Sequence, residues 1–177
     1  LKLVIKLKKN LVLTGMMGVG KSTIGEKLSK KLDLEFVDID KLIEKKEKNT
    51  IKDIFKLKGE NYFRKIEKKI TLEILKKDNL VIALGGGGFV NDLIRKEIKN
   101  SAVSFWLDVS IKSLLPRLKN AKKRPLLDDN NLEETVNRIY LDRKKIYNQA
   151  HYRIKSNTIN KKEIVNKIIS LYENSRN

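Results

Sequence analysis

At 177 residues the chain is long enough to bury one proper core, and a single domain over 1–177 is expected. It has no cysteine, which excludes disulfides and thiolate metal sites, and no apolar run near the roughly 20 residues of a membrane span, so no membrane partner is expected. The net charge of +18 would suit a nucleic-acid binder, but the 32 Lys are scattered through every segment without a dense stripe interleaved with aromatics.

No nucleic-acid partner is therefore expected. Against that lysine background the eight arginines carry information: Arg64, Arg95, Arg117, Arg124, Arg138, Arg143, Arg153 and Arg176. Where Lys is used so freely, each Arg points to a position that needs a planar, bidentate fork. The opening segment alternates Leu, Val and Ile with Lys and lacks the uninterrupted apolar core of a secretion signal, which gives a cytoplasmic expectation. A Leu at position 1 suggests a trimmed or alternative start.

The first predicted strand, 11–14, runs directly into G-x-x-x-x-G-K-S, made by Gly15, Gly20, Lys21 and Ser22. Glycines let the loop turn its backbone N–H groups inward onto phosphate oxygens. Lys21 places a point charge near the β- and γ-phosphates, Ser22 offers a hydroxyl to Mg²⁺, and the following helix adds its positive end. Ile24, Leu28 and Leu32 repeat every four residues along that helix. The chain is expected to bind a nucleoside triphosphate.

A second strand, 34–37, leads into F-x-D-x-D with Asp38 and Asp40. If the strand persists, both carboxylates point the same way, one toward Mg²⁺ through water and one toward an acceptor hydroxyl. Alternatively, Asp40 merely caps the helix that begins with Leu42 and Ile43. Thr50 and Asp53 form a capping box that opens a short helix stopped by Gly59, and a longer amphipathic helix runs from Glu60 to about Lys77. The third strand, 80–84, ends in Gly85-Gly86-Gly87-Gly88, a sequence suited to close backbone approach of a ligand. It lacks the terminal acid that many P-loop ATPases use for Mg²⁺, which moves that duty toward Asp38.

The fourth strand, 103–107, carries Trp106 as a core residue. The stretch 112–131 holds both prolines, Pro116 and Pro125, and is polar and Lys-rich, as expected of a mobile cover over a ligand. His151 lies in a connection with no partner in view and is expected to have no catalytic role. A weak fifth strand, 152–155, and a helix from Asn160 burying Ile164, Ile168 and Leu171 complete the chain. Strand alternating with helix argues for an α/β sheet covered on both faces.

The ordered combination of G-x-x-G-x-G-K-S, F-x-D-x-D, G-E-x-x-F-R-x-x-E (Gly59, Glu60, Phe63, Arg64, Glu67), a glycine triplet, R-P-L-L from Arg124 and R-x-x-x-Y…A (Arg143, Tyr147, Ala150) resembles shikimate kinase. The resemblance implies a P-loop fold of the nucleoside monophosphate kinase type: a five-stranded parallel sheet of order 2-3-1-4-5 flanked by helices. It also implies a substrate-binding subdomain over about 38–65 and a lid over about 112–126. It further implies transfer of phosphate from MgATP to the 3-hydroxyl of shikimate by a monomer.

By the same resemblance Gly15, Gly18, Val19, Gly20, Lys21, Ser22 and Thr23 hold ATP, Arg117 stacks on adenine, and Arg124 contacts the transferred phosphate. Asp40 contacts the shikimate hydroxyls, Arg64 and Arg143 grip its carboxylate, and Gly86 and Gly87 offer backbone N–H groups. Ser22 and Asp38 serve the metal, and Lys21, Asp40 and Arg124 form the catalytic set. A gluconate kinase of the same fold is the alternative, although it has no need of the paired arginines. The fourth glycine, Gly88, departs from the usual pattern, and Lys119, Lys122 and Lys123 add cations beside Arg124.

Overall fold

The computed structural model describes residues 9–119, 131–156 and 160–175. Five parallel strands form one sheet in the order β2-β3-β1-β4-β5. They are β1 Asn10–Thr14, β2 Glu35–Asp38, β3 Leu80–Ala83, β4 Ala102–Asp108 and β5 Tyr152–Lys155. All five predicted strands are present, with ends moved by about one residue, and the order is the one implied by the resemblance.

The central strands β1, β3 and β4 are buried along their whole length, so their sequences are mostly apolar rather than alternating, with Asn10, Thr14, Ser104 and Asp108 as buried polar exceptions. The edge strands β2 and β5 are partly exposed and mixed in composition, which is why β5 reads so faintly. Among the described residues the α-helices are α1 Lys21–Leu32, α2 Ile39–Glu47, α3 Ile51–Leu75, α4 Asp92–Ser101, α5 Ile111–Lys119 and α6 Leu132–Tyr147 between the strands, and α7 Lys161–Asn174 after β5. Among the described residues no helix is long and apolar enough to cross a membrane.

The predicted helix starts are built as expected. Thr50 Oγ1 accepts the Asp53 N–H at 3.2 Å, and Asn160 Oδ1 accepts the Glu163 N–H at 3.0 Å. Ile164 and Ile168 are buried in α7, while Leu171 is partly buried against the core. The two helices predicted around Gly59 run together as α3, with a kink where Gly59 takes φ 79° and ψ 167°.

Residues 112–119 correct the expectation of an unanchored polar segment. They belong to α5, whose Leu114 and Leu118 are buried one turn apart despite Pro116 in the same helix. Residues 120–130, including Arg124, Pro125, Lys122 and Lys123, lie outside the described residues.

The Gly59 backbone occupies a region that residues with a side chain avoid, while a β-carbon there would meet nothing within 4 Å. Gly59→Ala is therefore expected to destabilise the fold through backbone strain alone, by about 1–3 kcal/mol. Denaturant titration of the two proteins measures this, and equal midpoints would show that the kink relaxes without strain.

Candidate active site

The loop after β1 winds back over the end of β4. Gly15 sits at φ 133°, and a β-carbon on it would stand 2.7 Å from the Leu107 carbonyl, so no other residue fits. Lys21, the first residue of α1, is buried, and its Nζ donates to the Gly15 and Met16 carbonyls at 2.9 Å each. The ammonium is thereby held in the bowl of the loop, where a triphosphate would place its negative oxygens. Val19 is buried beneath the loop, Gly18 and Gly20 take positive φ, and Thr23 is exposed on the first turn of α1.

The Ser22 hydroxyl donates to Asp38 Oδ2 at 2.5 Å. Asp38 Oδ1 also accepts the Lys41 N–H at 3.2 Å and caps α2. This corrects two expectations: the capping acid is Asp38, not Asp40, and the strand does not persist to align the pair. β2 stops at Asp38 and α2 begins at Ile39, so a helical turn carries Asp40 to a different neighbour. Its Oδ1 lies 2.5 Å from where a β-carbon of Gly85 would stand, beside the glycine run rather than the P-loop.

Across from it, α3 presents Arg64. Nη1 donates to Glu67 Oε2 at 2.7 Å, and Nε and Nη2 both donate to Glu60 Oε1 at 3.1 and 3.0 Å. Burial works against the guanidinium's charge, but Glu67 and Glu60 outweigh it and hold its pKa above the ordinary value. Burial pushes the Glu67 carboxyl up, against the pull of Arg64 and Arg143. Arg143 on α6 donates from Nη1 to the Gly86 carbonyl at 2.9 Å. Arg64, Arg143, Glu60, Glu67 and Gly87 line one cleft of about 320 Å³.

Gly87 leaves room for the Arg64 guanidinium, whose Cζ would otherwise lie 2.7 Å from a β-carbon. Gly88 faces no such restriction, since an added methyl would meet Glu67 Oε1 at 3.4 Å and Leu84 at 3.6 Å, which is ordinary contact. Arg117 stands exposed on the last turn of α5.

Several supporting groups carried no role in the sequence. Tyr147 OH donates to the Gly86 carbonyl at 2.5 Å, from the same helix as Arg143. Arg95 Nη1 donates to the Phe89 and Val90 carbonyls in the 3-10 turn that follows the glycines. Arg153 pairs with Asp108 through Nε and Nη2 and covers the Trp106 ring at 4.7 Å. The scarcity of Arg was the signal that singled out Arg95 and Arg153. His151 does have a partner: its Nδ1 accepts the Ser104 N–H at 3.1 Å, and burial with nearby Lys9 and Lys99 lowers its pKa.

A P-loop of this form under a β2-β3-β1-β4-β5 parallel sheet defines a P-loop kinase of the nucleoside monophosphate kinase type. The family model described as shikimate kinase matches residues 17–173. A shikimate kinase of Sulfurihydrogenibium sp. (strain YO3AOP1) is 43% identical over 162 residues, covering 92% of this chain and 96% of the relative. The structure of a shikimate kinase from Acinetobacter baumannii in complex with shikimate superposes with a TM-score of 0.90 at 33% identity, covering 95% of this chain and 94% of that one. A gluconokinase from Sinorhizobium meliloti 1021 shares only the fold, with a TM-score of 0.61 at 16% identity over 96% of this chain and 97% of that one. The chain belongs to the shikimate kinase family. It is accordingly an enzyme that phosphorylates shikimate with ATP as donor.

Removing the Lys21 ammonium leaves the loop's glycine geometry in place but takes away charge that matters most when the phosphoryl group is in flight. Lys21→Ala is expected to keep its fold and to lose turnover by about 10²–10³-fold, measured by coupled ADP release. Near-normal turnover in a folded variant would refute the role of Lys21.

Proposed function

We propose that the transfer runs from MgATP to the 3-hydroxyl of shikimate, giving ADP and shikimate 3-phosphate for chorismate and aromatic amino-acid synthesis. The observation that carries the substrate assignment is the state of Arg64. Two of its nitrogens already donate to one carboxylate oxygen of Glu60, at the mouth of a cleft that Arg143 shares. A fork that holds a carboxylate in place of a ligand suits an acid substrate, and two such forks suit one whose carboxylate must be oriented.

The residues divide the work by position. Lys21 and the loop N–H groups bind the triphosphate and offset its charge. Arg124 lies outside the described residues, and its role on the transferred phosphate rests on the resemblance, as does that of a lid over about 112–126. Arg117, exposed on α5, is assigned to the adenine face on the same ground. Asp40 orients the acceptor hydroxyl and takes its proton at Oδ1 or Oδ2. Arg64 and Arg143, with N–H groups of Gly86 and Gly87, fix which hydroxyl faces ATP.

The donors between the P-loop and β2 are Ser22 Oγ and Asp38 Oδ2, an oxygen-only pair that fits a hard cation such as Mg²⁺. Mg²⁺ there would neutralise charge on the β- and γ-phosphates. A monomer with shikimate and ATP as its partners is the reading that the resemblance implies. Dependence on ATP supports a cytoplasmic setting.

Arg64→Lys keeps the charge and loses the fork. Shikimate binding is expected to weaken by about 1–3 kcal/mol, with the ATP constant little changed. Steady-state kinetics in each substrate measure this, and an unaltered shikimate KM in both Arg64→Lys and Arg143→Lys would overturn the clamp.

Asp38 and Asp40 are expected to separate in the same assay. Asp38→Asn should raise the Mg²⁺ concentration needed for half-maximal rate, while Asp40→Asn should lower kcat with no rescue by Mg²⁺. Rescue of both by excess Mg²⁺ would refute the division of roles.

A further inference from the structure

The Gly86–Gly87 peptide has no side chain on either residue to limit its rotation, yet it sits between the two arginines of the cleft. Its carbonyl oxygen is held from one side by two donors on α6: Tyr147 OH at 2.5 Å and Arg143 Nη1 at 2.9 Å. A trans peptide is planar, and its C=O and N–H point in opposite directions. Fixing the Gly86 carbonyl against α6 therefore also fixes the Gly87 N–H on the far side of the same plane. Gly87 lines the cleft against the Arg64 guanidinium.

Arg143 is a poor sole anchor for this peptide, because its other N–H groups are the ones offered to a ligand. Tyr147 has no such second duty. Its ring is fully buried beside Trp106, 5.9 Å between centroids, and it sits under Met16 of the P-loop. Burial pushes its phenol up, so the hydroxyl stays a donor throughout the working pH range.

We propose that Tyr147 is a positioning residue that locks the Gly86–Gly87 peptide and so aims the Gly87 N–H at the bound acid. Tyr147 does not touch substrate; it acts through that one peptide plane. The inference rests on the reading of the cleft as the shikimate site. It adds a specificity element to the arginine clamp, because only a substrate with an acceptor at that point gains from the aimed N–H.

Tyr147→Phe removes the hydroxyl and keeps the ring, and an unchanged emission spectrum from Trp106, the one tryptophan, reports that the packing is kept. Shikimate KM is expected to rise about 3–10-fold, the usual effect of one lost hydrogen bond, with the ATP KM within about twofold. In amide NMR the Gly87 signal of the parent should move on adding shikimate, and this movement should shrink in Tyr147→Phe. A purely structural role would move both KM values together and leave the Gly87 response intact, and that result overturns the inference. So does a variant indistinguishable from the parent. A parent protein whose cleft signals do not respond to shikimate at all, while ATP still binds, overturns the substrate-site reading itself and the inference with it.

Discussion

The Arg64–Glu67 pair is the contact around which the cleft beside the glycine run is arranged, because burying it dictates what can stand beside it. Glu67 is only 3% exposed, and taking a carboxylate out of water costs several kcal/mol unless a cation compensates it. Arg64 compensates one oxygen at 2.7 Å. Among the described residues the other, Oε1, meets no hydrogen-bond donor, and it faces the glycine run. Two of the glycines follow directly from this crowding. A β-carbon on Gly85 would stand 2.6 Å from Glu67 Oε1 and 2.5 Å from Asp40 Oδ1, and one on Gly87 would overlap the guanidinium. Gly85 and Gly87 keep space for three charged side chains, whereas a β-carbon on Gly86 would be tight only against the Met17 backbone and one on Gly88 would make ordinary contacts.

This arrangement gains its second half from the sheet. In a parallel sheet all strands deliver their carboxyl ends to one edge, and ligands collect there. β1 delivers the P-loop, β2 delivers Asp38, and β3 delivers the glycines, with β1 hydrogen-bonded to β3. The phosphate loop and the acid cleft are thus neighbours by topology. They touch where Gly86 packs on the Met17 backbone, its absent β-carbon 3.3 Å from that nitrogen. Tyr147 closes the contact from below, with its hydroxyl on Gly86 and its ring against Trp106. The P-loop and the glycine run thus share a wall.

Much of this could be read along the chain, and what could not has a physical reason. The P-loop was legible because its demands are local: positive φ at Gly15, Gly18 and Gly20, followed by a helix start. The strands of the sheet interior were legible because burial on both faces leaves them mostly apolar. The direction of Asp40 was misread because a strand and a helix aim position i+2 differently, and the switch between them occurs at Ile39 without any glycine or proline to mark it. The anchoring of α5 was hidden in the same way, with Leu114 and Leu118 lost among Lys112, Pro116 and Lys119. The hold of Tyr147 on Gly86 spans 61 positions and involves a backbone oxygen, which no side-chain pattern can announce.

The arginines show how a compositional bias can sharpen a reading instead of blurring it. Lysine outnumbers arginine fourfold here, so charge alone is supplied everywhere and selects nothing. Three of the arginines whose surroundings are described and partnered make contacts that need more than charge. Arg64 bridges two carboxylates, and Arg95 meets two successive carbonyls at 2.8 and 2.6 Å. Arg153 sets two nitrogens on Asp108 while its plane covers Trp106, and Arg143 holds a carbonyl at the cleft. An ammonium could make the single bond of Arg143 but not the planar, multi-point contacts of Arg64, Arg95 and Arg153. Guanidinium geometry, rather than the amount of positive charge, is thus what sets these contacts apart from the surrounding lysines.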